Sequence, residues 1–232
     1  MKRFYQTIAY IRTDNGFVIQ ADHKNLKSPK NNIVCVPSLN MGEVLVQEWT
    51  KQKDTINFIS MPITQFVYTV LDYGDLKRNE YINDIISYAR TDLLCYRVLK
   101  PKDLALKQNQ LWQPVLNWVE ESFEVKFNIV YDIMPVSFSK ENETIIKKYL
   151  EQYNNYQLIA FLLMVRNCGS VILSLALCKK FITPEQAFDL ALLDENYQQE
   201  KWGADFEFAK SIENKKNDFN HAVYFFNLSQ AK

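Results

Sequence analysis

Phe4-Tyr5-Gln6-Thr7-Ile8-Ala9-Tyr10-Ile11-Arg12-Thr13-Asp14-Asn15-Gly16-Phe17-Val18-Ile19-Gln20-Ala21 opens the chain with a strand-like pattern on either side of an Asn-Gly turn. That combination is the sequence form of a β-hairpin. After a polar connection rich in Lys, Asn and Pro, Ile33-Val34-Cys35-Val36-Pro37 reads as a third strand. At Ser38 the period changes. Ser38 is an N-cap for a helix in which Met41, Val44, Leu45, Glu48, Trp49 and Gln52 recur at spacings of three and four.

From there the pattern is mostly helical. Beyond Met61-Pro62, helices are predicted over about 64–73 and 78–90, the second with Tyr81, Ile82, Ile85, Ile86 and Ala89 as its apolar stripe. Asp92-Leu93-Leu94-Cys95-Tyr96-Arg97 fits either a helix end or a buried extended run. Pro101 opens another helix through Leu104, Leu111, Leu116 and Val119. Val125, Phe127, Ile129, Tyr131 and Ile133 alternate as a half-buried strand that ends at Pro135. Ser139 caps a helix through Ile145, Ile146, Tyr149, Leu150 and Tyr153, and further helices are expected from Pro184 onward and over 218–229. The expected architecture is α+β: residues 1–60 form a small β-rich N-terminal domain with one helix, and residues 61–232 form a larger, mainly α-helical C-terminal domain.

With 232 residues, 47% of them hydrophobic, the chain can bury a substantial core. Lys plus Arg and Asp plus Glu both number 27, so overall charge steers the protein toward neither nucleic acid nor an anionic membrane. Cys35, Cys95, Cys168 and Cys178 lack any CxxC spacing and read as free thiols in a reducing compartment. The first residues show neither an apolar signal segment nor an Arg-rich presequence, so the given chain is expected to start at its fold. Residues 158–178 have the length of a membrane span, but Arg166-Asn167 lies in the middle. A central Arg costs about 2.5–3.5 kcal/mol on insertion, which favours a buried helix or helix pair.

Much familiar chemistry is missing from the sequence. His23 and His221 have no Cys or carboxylate at ligand spacing, so no metal site is expected. Gly16, Gly42, Gly74, Gly169 and Gly203 are isolated, so neither a dinucleotide fingerprint nor a phosphate loop can be written, and there is no GxSxG elbow. The acids Asp194, Glu195, Glu200, Asp205 and Glu207 are the one catalytic candidate, as a carboxylate pair for general acid/base work.

Those acids belong to Leu193-Asp194-Glu195-Asn196-Tyr197-Gln198-Gln199-Glu200-Lys201-Trp202-Gly203-Ala204-Asp205-Phe206-Glu207. It follows a helix start at Thr183-Pro184-Glu185-Gln186. At 100° per residue a continuous helix would place Leu190, Leu193, Tyr197, Ala204 and Phe208 on one side and Glu195, Gln199, Trp202 and Phe206 roughly opposite. A surface helix needs one apolar stripe, so the second face implies a partner within the fold or outside it.

Several strings, in order along the chain, resemble the Atp12 family, assembly chaperones of the F1 sector of ATP synthase. They are Phe4-Tyr5, Leu26-Lys27-Ser28-Pro29, Gln47-Glu48-Trp49-Thr50-Lys51-Gln52, Met61-Pro62-Ile63-Thr64, Thr91 to Arg97, Gly169-Ser170 and the stretch from Leu193. One departure is Ala21-Asp22-His23-Lys24-Asn25, where relatives have a Leu-Asp-Gly-Arg-Pro turn. The resemblance implies a non-enzymatic protein without cofactor, metal or small-molecule substrate. It would bind the free ATP synthase α subunit until the β subunit joins, in the bacterial cytoplasm or, for a processed eukaryotic form, in the mitochondrial matrix. Glu195, Gln198, Glu200, Trp202, Gly203 and Asp205 are the candidate partner-binding residues. A hydrolase built on Asp194, Glu195, Glu200 and Asp205, and a stable scaffold subunit of a larger complex, are the alternatives.

Overall fold

In the computed structural model, which describes residues 1–131, 138–203 and 206–230, the N-terminal alternation becomes β1 (Ile8–Thr13) and β2 (Gly16–Ala21). They pair antiparallel, with Ile8 opposite Ala21 and Thr13 opposite Gly16, so Asp14-Asn15 is the loop. Gly16 has φ +126°, and a Cβ there would lie 2.4 Å from the Val36 carbonyl oxygen, so the turn requires glycine. β2 turns into β3 (Lys24–Asn25) through Asp22 and His23, whose φ values are +45° and +64°. The departure from the family's glycine-bearing turn therefore still makes a tight hairpin. Asp22 steadies it by accepting the Gln6 and Thr7 amides at 3.0 and 2.8 Å, and these bonds hold its carboxyl below the ordinary range. β4 (Cys35–Val36) pairs antiparallel with Phe17 and Val18 of β2, a shorter strand than the 33–37 pattern suggested.

α1 (Leu39–Thr50) packs on this sheet, and Ser38 Oγ accepts the Met41 amide at 3.3 Å. Its buried face includes Met41, Leu45, Trp49 and a carboxylate, Glu48. Glu48 caps α2 (Pro62–Tyr73) from a distance, accepting the Ile63 and Thr64 amides at 2.9 and 2.7 Å. The Gln-Glu-Trp string thus has a structural use: Trp fills the core while Glu satisfies the orphan amides of the next helix.

α3 (Arg78–Arg90) buries Ile82, Ile85, Ile86 and Ala89, with Tyr81 half-buried at the edge of the stripe. The ambiguous segment after it is a 3-10 turn, Leu93–Cys95, followed by β5 (Tyr96–Arg97). α4 (Lys102–Phe123) buries Leu104, Trp112, Leu116 and Val119. Leu111, assigned to that core by spacing, is 47% exposed instead, because the four-residue step from Gln108 makes Trp112 the inward position.

The strand expected over 125–133 is shorter. Among the described residues only β6 (Val130–Tyr131) pairs, in parallel with β5, while Ile133 and Pro135 lie outside the described residues. Val125 and Phe127 are buried as the alternation implied, but side chains take the place of a neighbouring strand. Asn142 Oδ1 accepts the Lys126 amide at 3.1 Å, and Glu120 Oε1 accepts that of Phe127 at 2.8 Å.

α5 (Lys140–Glu151) is capped by Ser139. Residues 158–178 fall in a helix pair, α6 (Asn155–Cys168) and α7 (Val171–Cys178), separated at Gly169 with φ +69°. Among the described residues no helix is long and apolar enough to cross a membrane. The helix expected to run on from Pro184 is in fact two, α8 (Pro184–Ala191) and α9 (Leu193–Trp202), and α10 (Phe206–Gln230) begins well before residue 218.

The chain forms two compact units. One comprises Met1–Arg78 with Asn154–Ala160 and Val223–Lys232; the other comprises Asn79–Tyr153 with Phe161–Ala222. The first holds the sheet, α1 and α2, together with Phe225, Phe226 and Leu228 from the last helix. Ser38 Oγ donates to the Leu228 carbonyl at 3.3 Å, and Phe225 packs against Phe66 with ring centroids 5.4 Å apart. The architecture is α+β, with strands first and helices after.

Candidate functional site

α9 is short because both ends are marked in the backbone. Leu192, with φ −103° and ψ 15°, interrupts helical geometry after α8, and Gly203, with φ +88° and ψ 159°, ends the next segment. That second conformation is open essentially to glycine alone. The break before Leu193 and the stop at Gly203 void the continuous wheel drawn from residue 190 to residue 208. Within α9 itself, one face still holds: Leu193 and Tyr197 are buried.

That face is fastened to α4. α4 also holds the helix before it, Trp112 Nε1 donating to the Leu190 carbonyl of α8 at 2.9 Å. Gln108 Nε2 donates to both Asp194 oxygens, at 2.9 and 3.2 Å, and burial pushes the Asp194 carboxyl up. Asp103 receives the Tyr197 hydroxyl at 2.8 Å and the Lys201 ammonium at 3.1 Å, which hold its carboxyl below the usual range. Lys107 pairs with Glu200 at 2.7 Å on the exposed rim.

The residues singled out in the sequence therefore separate. Trp202 is 78% exposed, which settles its place as a surface side chain and not a core one. Glu195 is half-buried and Gln198 exposed, and neither side chain has a hydrogen-bond or ion-pair partner among the described residues. Glu200 is committed to Lys107, and Gly203 is the helix stop, with open space where a Cβ would be. Asp205 and the side chain of Phe206 lie outside the described residues. At 100° per residue, Asp194, Glu195 and Glu200 spread around α9 rather than converging, so these three described acids offer no close carboxylate pair. Among the described residues no group of His, Cys, Asp and Glu could hold a metal ion.

Sequence reading missed a groove beside this helix. Leu111, Pro114 and Val115 of α4, with Phe181, Leu190 and Leu193, line a depression of about 440 Å³ whose rim includes Gln110, Gln186 and Asp189. Phe181 stacks flat on Trp118, centroids 4.4 Å apart, and leaves 42% of itself exposed. An apolar floor with a polar rim suits contact with another polypeptide better than proton transfer on a small molecule. The signal available in sequence was Leu111 itself, one position off the buried stripe of α4.

Comparison with known proteins gives a family and a fold. Residues 2–120, just over half of the chain, match the profile of a family described as "ATP12 chaperone protein". The mitochondrial protein atp12 of Schizosaccharomyces pombe is 28% identical over 231 residues, which cover 92% of this chain and 77% of that protein. In fold, the crystal structure of Atp12 from Paracoccus denitrificans superposes with a TM-score of 0.93 at 22% identity, covering 99% of this chain and 98% of that one. A crystal structure of a protein from Agrobacterium tumefaciens gives a TM-score of 0.91 at 31% identity, covering 97% of this chain and 85% of the other. The chain thus belongs to the ATP12 chaperone family.

Proposed function

We propose that this protein is a non-catalytic chaperone for assembly of the F1 sector of ATP synthase, which holds the free α subunit until the β subunit takes its place. Membership of the ATP12 chaperone family is the observation that carries the reading. The apolar groove of α4 and α8, with its polar rim, is the kind of surface that can cover an aggregation-prone subunit face, and the spread of carboxylates around α9 supports a binding rather than a catalytic role. Trp202 and Gln198 form the exposed part of the client contact, with half-buried Glu195 beside them and Glu200 and Gly203 at its edge; Asp205, outside the described residues, is a further contact residue. Exchange for the β subunit calls for moderate affinity and measurable dissociation. The protein acts where F1 assembles, in the bacterial cytoplasm or the mitochondrial matrix.

The test is coexpression with the matching α subunit. The expected result is soluble α in a complex that dissolves when β is added. Equal insolubility of α with and without the protein, and no complex on gel filtration, would sink the proposal. Trp202→Ala and Glu195→Lys are expected to weaken the complex while the circular-dichroism spectrum stays unchanged.

A further inference from the structure

The sheet ends on a strand with one side unpaired. β1 pairs with β2 and, among the described residues, with no other strand. The register tells which of its backbone groups face outward. Ile19 of β2 gives its N–H to the Val34 carbonyl at 2.9 Å and accepts the Leu26 amide at 2.8 Å, both on the side away from β1. Tyr10, directly opposite Ile19, therefore turns its own N–H and C=O away from β2, and the alternation carries Ile8 and Arg12 with it. Among the described residues no hydrogen bond reaches the backbone groups of these three positions.

Natural sheet edges are blunted by proline, by bulges or by several charges. β1 has no proline, its ladder with β2 runs unbroken from Ile8 to Thr13, its one charge is Arg12, and Ala9 to Thr13 are all exposed. A row of unmet donors and acceptors is complementary to the backbone of another extended strand.

Side chains select which strand. Arg12 is exposed and has no acid partner among the described residues. Asp22 is exposed at the other end of β1, where it accepts the Gln6 and Thr7 amides, and it has no Lys or Arg partner. Two copies of β1 placed antiparallel about a two-fold axis at Tyr10 set Tyr10 opposite Tyr10 and Ile8 opposite Arg12, so each outward residue meets an outward residue. In that register Arg12 of each copy lies beside the strand end that carries Asp22 of the other, and the two arginines stay about 14 Å apart along the strands. The charges that β1 leaves unmet in one copy are thus complementary across the axis.

We propose that β1 joins a second copy of this chain edge to edge, forming a two-fold homodimer through about six main-chain hydrogen bonds and two Arg12 to Asp22 pairs. So narrow an interface stands at the small end for proteins, and the dimer forms and parts with concentration. The proposal is independent of the client.

The experiment is sedimentation of the intact protein from low to several hundred micromolar. A monomer–dimer equilibrium is expected. Arg12→Glu, which faces Asp22 with a like charge, is expected to weaken the dimer about tenfold or more. Arg12→Pro withdraws an outward N–H while leaving the ladder with β2 whole, and is expected to weaken it similarly. Both variants should keep the parent's circular-dichroism spectrum. The register is read separately by cysteine pairing. Tyr10→Cys places two Cα atoms about 5.5 Å apart across the axis and is expected to cross-link under mild oxidation, whereas Thr13→Cys places them about 20 Å apart and is not. A monomer at every concentration overturns the inference, as does a dimer untouched by both Arg12 variants or equal cross-linking of the two cysteine variants. A monomeric chain whose protection of the coexpressed α subunit is lost in Arg12→Pro would assign the edge to the client and overturn it too.

Discussion

Trp202 illustrates how much a single side chain can reveal once its exposure is known. A large aromatic ring left in water at a helix end is a poor way to stabilise a monomer and a good way to anchor a partner, since buried Trp is enriched among the residues that dominate interfaces. Trp202→Ala should therefore change unfolding free energy by no more than about 0.5 kcal/mol, as other exposed substitutions do, while client affinity drops. Its neighbour behaves in the opposite way. Gly203→Ala has room for the methyl group but must hold φ +88°, so urea unfolding should show a loss of about 1–3 kcal/mol from backbone strain alone. Asp92 is the clearest buried case. Its carboxylate accepts from the Leu94 amide at 3.1 Å, Ser170 Oγ at 2.8 Å, the Val171 amide at 2.7 Å and the Ile172 amide at 3.0 Å. Burial pushes the Asp92 carboxyl up to about 6, against the pull of those four donors. Asp92→Ala strands the donors and opens a gap at the start of α7, so a loss of about 3–5 kcal/mol is expected in the same assay.

At the scale of elements, α9 depends on how α4 holds it. Asp103 is the hub, bonded to Tyr197 and Lys201, and its depressed pKa fixes the sign of a pH effect. The stabilisation is complete above the ordinary Asp value of 3.8 and is lost as pH falls below it through the folded-state value. The difference in urea midpoint between the parent protein and Asp103→Asn should be constant at neutral and mildly acidic pH and vanish in strong acid. A difference that grew on acidification would show the hub to be wrongly placed. Elements of this kind also show what could be read in advance. The hairpin at Gly16, the Ser38 cap, the Thr183–Gln186 capping box and the stripe of α3 rest on contacts within a few residues, and sequence spacing conveys such contacts directly. The split at Leu192 has no proline or glycine to announce it, and the side chains that replace a strand beside Lys126 and Phe127 come from sixteen and seven residues away. The groove was hidden for the same reason: Leu111 and Phe181 meet only after α4 and α8 have packed. Of the expected site, Glu195, Gln198 and Trp202 could be picked from α9 because they fall off its buried face, whereas Glu200's commitment to Lys107 could not.

For the whole molecule, the important fact is which parts of the chain complete which unit. Residues 223–232 belong with the N-terminal sheet, supplying Phe225, Phe226 and Leu228 to its core. Ending the chain at Ala222 should therefore damage the strands' unit while leaving the sequence of every strand intact. Removal of even one buried Phe costs about 3–5 kcal/mol, so the truncated protein is expected to lose protection of the β2 amides in hydrogen exchange. If β2 stays protected, the last helix is dispensable to that unit. The order of synthesis then acquires meaning. The hairpin leaves the ribosome some two hundred residues before the aromatic side chains that close its core. A prematurely terminated product would carry an open hydrophobic core of its own, making it a target for the cell's proteases instead of a half-working guardian of another subunit.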